Sequence, residues 1–131
     1  MSKQDLDQLW ELQERQAELR RHVLQLTSQI NSAEKERTIL DVTVQEIDNM
    51  PPDVKTYVGL GKMFVLQPKS DLRSDFVHEK NESVKKDEDR KRLRKQFLSK
   101  LSENENRIDE LADQIEATRA KAANTRKSAA S

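Results

Sequence analysis

Pro51-Pro52-Asp53-Val54-Lys55-Thr56-Tyr57-Val58-Gly59-Leu60-Gly61-Lys62-Met63-Phe64-Val65-Leu66-Gln67-Pro68 decides the fold, because two helical stretches have to stop there. This window holds every glycine and proline of the 131-residue chain, and its only tyrosine. Proline lacks an amide hydrogen and clashes with a preceding helical turn, so Pro51-Pro52 and Pro68 end helix on either side. Between them the residues predict two short strands about a glycine turn. Alternation sends Val54, Thr56, Val58 and Leu60 to one face of the first strand. The second offers Met63 and Val65 to one face and Phe64 and Leu66 to the other. A strand apolar on both faces is normally buried on both, and a lone two-stranded hairpin is marginal in water. The sequence therefore predicts a sheet completed by strands from other subunits, and an obligate oligomer.

Upstream the pattern is heptadic. Steps of three and four from Leu9 give Leu12, Gln16, Leu19, Val23, Leu26, Ile30, Ala33, Arg37, Leu40, Val44 and Ile47, mostly apolar. That spacing keeps one seam facing a partner helix, the condition for a coiled coil. A helix over 5–49 follows, on the order of 60 Å long at 1.5 Å per residue, with Ser2 and Asp5 as a capping pair at its start. Gln16 and Arg37 interrupt the seam. Either they set register, or they are defects whose polar ends reach solvent. Trp10 lies just off the seam, as surface packing or as a contact site.

The second arm starts after Pro68, with Ser70 as its N-cap and Asp71 in its first turn. Leu72, Phe76 and Val77 continue the apolar face. Residues 78–96 carry 8 Lys/Arg and 5 Asp/Glu. Acids at Glu79, Glu82, Asp87, Glu88 and Asp89 are interleaved and no aromatic lies among them, so this stretch is read as a solvated face rather than a nucleic-acid helix. The seam resumes at Phe97, Leu101, Asn104, Ile108, Leu111 and Ile115. The expected helix covers 70–118, and 119–131 is expected to fray. Two arms of similar length about a short insert fold back antiparallel, with Ile47 near Leu72 and Leu9 near Ile108 to Leu111.

Composition narrows the function classes. The chain is 37% charged, 34% hydrophobic and 4% aromatic, too little apolar payload for a compact core. Its net charge is zero, which speaks against generic nucleic-acid or membrane-surface binding. Residues 1–50 hold 6 Lys/Arg against 10 Asp/Glu, and residues 69–131 hold 16 against 13, so the arms attract when side by side. There is no cysteine, no signal-like apolar run and no membrane-length segment, which points to the cytoplasm. Gly59-Leu60-Gly61 lacks the third glycine of a dinucleotide loop, and Met63 stands where a phosphate loop needs Ser or Thr. His22 and His78 have no ligand spacing and read as solvated. No catalytic constellation, metal site or cofactor site is expected.

The string Tyr57-Val58-Gly59-Leu60-Gly61-Lys62-Met63-Phe64-Val65-Leu66-Gln67, after the Pro51-Pro52-Asp53 break, resembles the signature of β-type prefoldin subunits, eukaryotic ones in particular. The arms match in length and placement, so the resemblance covers nearly the whole chain. It implies a mainly α fold, a long antiparallel two-helix coiled coil whose central β-hairpin joins an inter-subunit β-barrel. It implies a hetero-hexamer of α-type and β-type prefoldin subunits that captures unfolded proteins such as actin and tubulin and passes them to the cytosolic chaperonin without ATP. The hairpin residues Tyr57, Val58, Gly59, Leu60, Gly61, Met63, Phe64, Val65 and Leu66 are then the oligomerisation element. Clients would bind at the distal tip, around Leu6, Leu9, Trp10, Leu12, Leu111 and Ile115, an assignment made on location and exposed hydrophobicity. A structural coiled-coil scaffold or tether is the alternative, and it leaves the doubly apolar hairpin without a purpose.

Overall fold

The computed structural model describes residues 3–130, so Ser2 of the expected capping pair lies outside the described residues. The element order is α1 (Lys3–Asn49), β1 (Thr56–Leu60), β2 (Met63–Gln67) and α2 (Lys69–Ala130). The chain divides into two compact units. One combines the chain up to Leu26 with the chain from Leu93 onward; the other is Thr27–Arg92.

α1 ends where the prolines require. The Met50 amide donates to the Ile47 carbonyl at 3.2 Å, and the Val54 amide donates to Pro51 at 3.2 Å, closing a turn over Pro52-Asp53. α2 begins at Lys69, one residue ahead of expectation. The Pro68 carbonyl accepts the Leu72 amide at 3.0 Å, so Pro68 takes the capping position and Ser70 falls inside the helix. Asp71 remains in the first turn, near the positive end of the helix dipole. The far end differs more. Helix continues to Ala130 rather than ending at 118, because alanine, lysine and arginine are strong helix formers and no glycine or proline follows Pro68.

In the second unit α1 and α2 run antiparallel, since Asp48 pairs with Arg73 while Arg37 pairs with Asp87. Ile30, Ala33 and Ile47 are its buried apolar residues. The first unit is also antiparallel: His22 stacks on Phe97 with centroids 4.8 Å apart, and Gln16 bonds Glu105. Leu19, Leu26 and Leu111 are buried there. All the expected α1 seam positions, from Leu9 to Ile47, are buried or half-buried. His22 is not simply solvated, because its ring packs flat on Phe97 within 7° of parallel. Among the described residues no large side chain is wholly enclosed.

β1 and β2 form a two-stranded antiparallel sheet with Thr56 opposite Gln67, Val58 opposite Val65 and Leu60 opposite Met63. Gly61, first residue of the two-residue loop, has φ +59°, a conformation glycine adopts freely and one that primed hairpin turns demand.

Candidate functional site

The hairpin sorts its side chains by cross-strand pair. Thr56, Val58 and Gln67 are half-buried and turn toward the helix roots, where they line a groove of about 500 Å³ with Ile47, Leu72 and Phe76. Thr56 Oγ1 donates to the Gln67 carbonyl, and Gln67 Nε2 donates to Asp75 at 2.8 Å, tying the sheet's base to α2. Tyr57 and Leu66 form a pair on the opposite face, beside Gly59 and Phe64. The Phe64 ring lies over Gly59, 3.7 Å from where a Cβ would stand. Phe64 is 77% exposed and Met63 68%, and Tyr57, Leu60, Val65 and Leu66 are exposed with them. Six large apolar side chains on ten strand residues is far more than a sheet in water tolerates without a cover. Among the described residues both outer edges are unpaired as well.

A second feature lies in the Thr27–Arg92 unit. Stepping by four and three from Phe76 gives Lys80, Ser83, Asp87 and Arg90, all buried or half-buried. The stretch expected to be a solvated face therefore carries the seam. Asp87 is 3% exposed. It accepts from Arg37 and, at 2.8 Å, from Arg90, while Arg37 also donates to Ser83 at 3.2 Å. Lys80 pairs with Asp41. The signal that could have revealed this was the unbroken spacing from Phe76 to Phe97, hidden because polar residues occupy it.

The first unit has its own polar layer. Asn104, 3% exposed, donates to Gln16 Oε1 at 2.9 Å and to the Leu12 carbonyl at 2.9 Å. Gln16 in turn donates to Glu105 at 2.8 Å. Gln16 and Arg37 are thus answered from the opposite arm rather than sent to solvent, and no buried side-chain polar atom among the described residues lacks a partner.

At the end of the first unit, Leu6, Leu9 and Ile115 come together along one groove. Leu12 and Leu111 line a separate, smaller one with Gln8 and Arg107. Leu111 is buried, so a bound chain reaches it only if the seam opens. Trp10 lines neither groove and is 63% exposed. Among the described residues no cluster of three metal-ligating side chains occurs, and no helix is long and apolar enough to cross a membrane.

Two long helices about a protruding antiparallel hairpin define a prefoldin-type subunit. The family profile described as prefoldin subunit matches residues 10–100, and the chain belongs to that family. The probable prefoldin subunit 1 of Dictyostelium discoideum is 29% identical over 85 residues, covering 65% of this chain and 70% of that protein. The crystal structure of the prefoldin beta subunit from Thermococcus strain KS-1 matches with a TM-score of 0.71 at 17% identity, covering 79% of this chain and 90% of that one. At that identity the likeness is one of fold. The family is one of non-enzymatic chaperone cofactors whose subunits assemble with one another. The family match includes the hairpin but stops short of Leu111 and Ile115 and starts after Leu6 and Leu9.

Proposed function

We propose that this chain is a β-type subunit of a hexameric, ATP-independent holdase that captures unfolded proteins in the cytoplasm and passes them to the cytosolic chaperonin. Actin- and tubulin-like chains are the clients the family resemblance suggests. The hairpin is the assembly element, through Tyr57, Val58, Gly59, Leu60, Gly61, Met63, Phe64, Val65 and Leu66, and its sheet is completed as a barrel by α-type and β-type sister subunits. The observation that carries this reading is the two-stranded sheet with exposed apolar side chains on both faces and both edges uncovered among the described residues. Leu6, Leu9, Trp10, Leu12, Leu111 and Ile115 are the client-contacting tip. Each contact is weak, and several arms acting together hold a client by raised effective concentration and release it without chemistry.

The test joins assembly to activity. Co-expression with candidate sister subunits should yield a complex of fixed stoichiometry that suppresses aggregation of a denatured client without nucleotide. Polar replacement at Leu9, Trp10 and Leu12 should leave the complex intact and weaken suppression. Assembly with no suppression would instead leave a scaffold or tether, and failure to assemble at all would remove the hairpin's role.

A further inference from the structure

Beyond Glu116 the sequence carries four basic residues, Arg119, Lys121, Arg126 and Lys127, and no aspartate or glutamate. α2 presents all four on its surface, and none forms an ion pair with the described residues. Residues 90–102 are a denser acid-free run with six Lys/Arg, but there Arg90 and Arg92 pair with Asp87 and Asp89. Two of the four, Arg119 and Arg126, line the same groove of about 940 Å³ that Leu6, Leu9 and Ile115 line. Ile115 and Arg126 lie about 16 Å apart along the helix at 1.5 Å per residue, a span of roughly five residues of extended chain. The groove is therefore apolar toward Ile115 and basic toward Arg126, with alanines on the α2 side between and one carboxylate, Glu116.

We infer that this groove binds extended polypeptide segments in which apolar side chains lie a few residues from aspartate or glutamate. The inference rests on the reading of the tip as client-binding and deepens it by naming the class of segment bound. Leu6, Leu9 and Ile115 take the apolar side chains, and the guanidinium groups of Arg119 and Arg126 take the carboxylates. Lys121 and Lys127 extend the attractive field along the helix. Nucleic acid fits less well. The lining contains no aromatic ring on which a base could stack.

The experiment uses the full chain assembled with its partner subunits and three fluorescein-labelled peptides of equal length. Leucine occupies the same positions in each, and the remaining positions are all glutamate, all serine or all lysine. Fluorescence anisotropy should rank them glutamate, serine, lysine. Glutamate should bind roughly tenfold more tightly than serine at low salt, the size expected when several exposed ion pairs form together, and the gap should narrow as salt screens them. The pair Arg119→Gln and Arg126→Gln should bring the glutamate peptide down to the serine level without changing the serine peptide, and Arg119→Lys with Arg126→Lys should restore the difference. Equal binding of the glutamate and serine peptides overturns the inference and leaves the tip reading standing. If Leu6→Ser with Leu9→Ser fails to weaken any peptide, the tip reading falls, and the inference, which needs both ends of the groove, falls with it. Tighter binding of a thymidine oligonucleotide of equal charge would make nucleic acid the occupant. A change in the mass of the complex on the glutamine substitutions would make it a second copy of the chain. Either result overturns the proposal.

Discussion

Burial at the seam works to raise the Asp87 carboxyl, but the hydrogen bonds and charges of Arg37 and Arg90 outweigh it and hold the group below the usual carboxylate range. An aspartate in the unfolded chain titrates near ~3.9. Between that value and the lower folded one, the unfolded state binds more protons, so stability rises with pH. The contribution is fully present above about pH 4 and is lost as pH falls through the folded value. Asp87→Asn should therefore flatten the acid limb of the stability curve. At neutral pH it should cost about 2 kcal/mol, since Arg37 loses a charged acceptor at a largely buried position. Melts of parent and variant from acid to neutral pH check both, and superimposable acid limbs would remove Asp87 from the account. The Gln16–Asn104 pair makes a different case, with no net charge to titrate. Leucine at both positions should raise the melting temperature while loosening register, because a polar seam layer trades stability for a single alignment. Cysteines placed at 22 and 97, where the rings now stack, should cross-link less uniformly in that variant.

At the scale of elements, the hairpin and the helices depend on different residues and should respond separately. Met63→Ser with Phe64→Ser should abolish assembly with sister subunits while leaving helical circular dichroism nearly unchanged, because both side chains are largely exposed, one on each face of the sheet. Co-purification and spectra of the same preparations test this, and a complex that forms normally would refute it. Gly61→Ala should cost about 1 kcal/mol, since an alanine at φ +59° is strained whatever the space around it. Gly59→Ala should be milder, as its Cβ would meet the Phe64 ring at an ordinary contact distance. The hairpin and the α1 seam were legible because glycine, proline and leucine mark them directly. The middle of α2 was not. Lys80, Ser83, Asp87 and Arg90 occupy seam spacing, but hydropathy cannot tell a buried charge with a partner from an exposed one. The partner, Arg37, lies 50 residues away in sequence. The end of α2 departs from the expected fraying for a related reason. Alanine, lysine and serine suggest fraying by composition, yet alanine and lysine each favour helix. Of the candidate tip, the gathering of Leu6, Leu9 and Ile115 followed from the antiparallel register, whereas the basic flank was obscured by the expected fraying.

For the whole molecule, the ledger of surface ion pairs predicts a weak response to salt. Arg20–Glu105, Arg73–Asp48 and Lys80–Asp41 join α1 to α2 within their units, and each is substantially exposed. Such pairs contribute little singly and are screened further as the Debye length falls from about 10 Å to about 3 Å. Raising salt from about 0.1 M to 1 M should lower the melting temperature by no more than about 5 °C. A larger drop would mean that the charge difference between the arms, rather than the apolar stripe, holds them together. The chain purified alone should be helical yet self-associate, and a well-behaved monomer by sedimentation would contradict the expectation that its sheet needs neighbours.

The two-stranded sheet also bears on how much of this chain a cell can hold. On the proposed assembly, a copy made in excess of its sisters keeps Phe64 and Met63 in water, the kind of surface that quality-control machinery binds and that seeds edge-to-edge aggregation. Abundance of the protein would then be set less by its own synthesis than by the scarcest of its proposed sister subunits. Depleting one sister should shorten the lifetime of this chain, and changing Met63 and Phe64 to serine should make that lifetime independent of the sister's level.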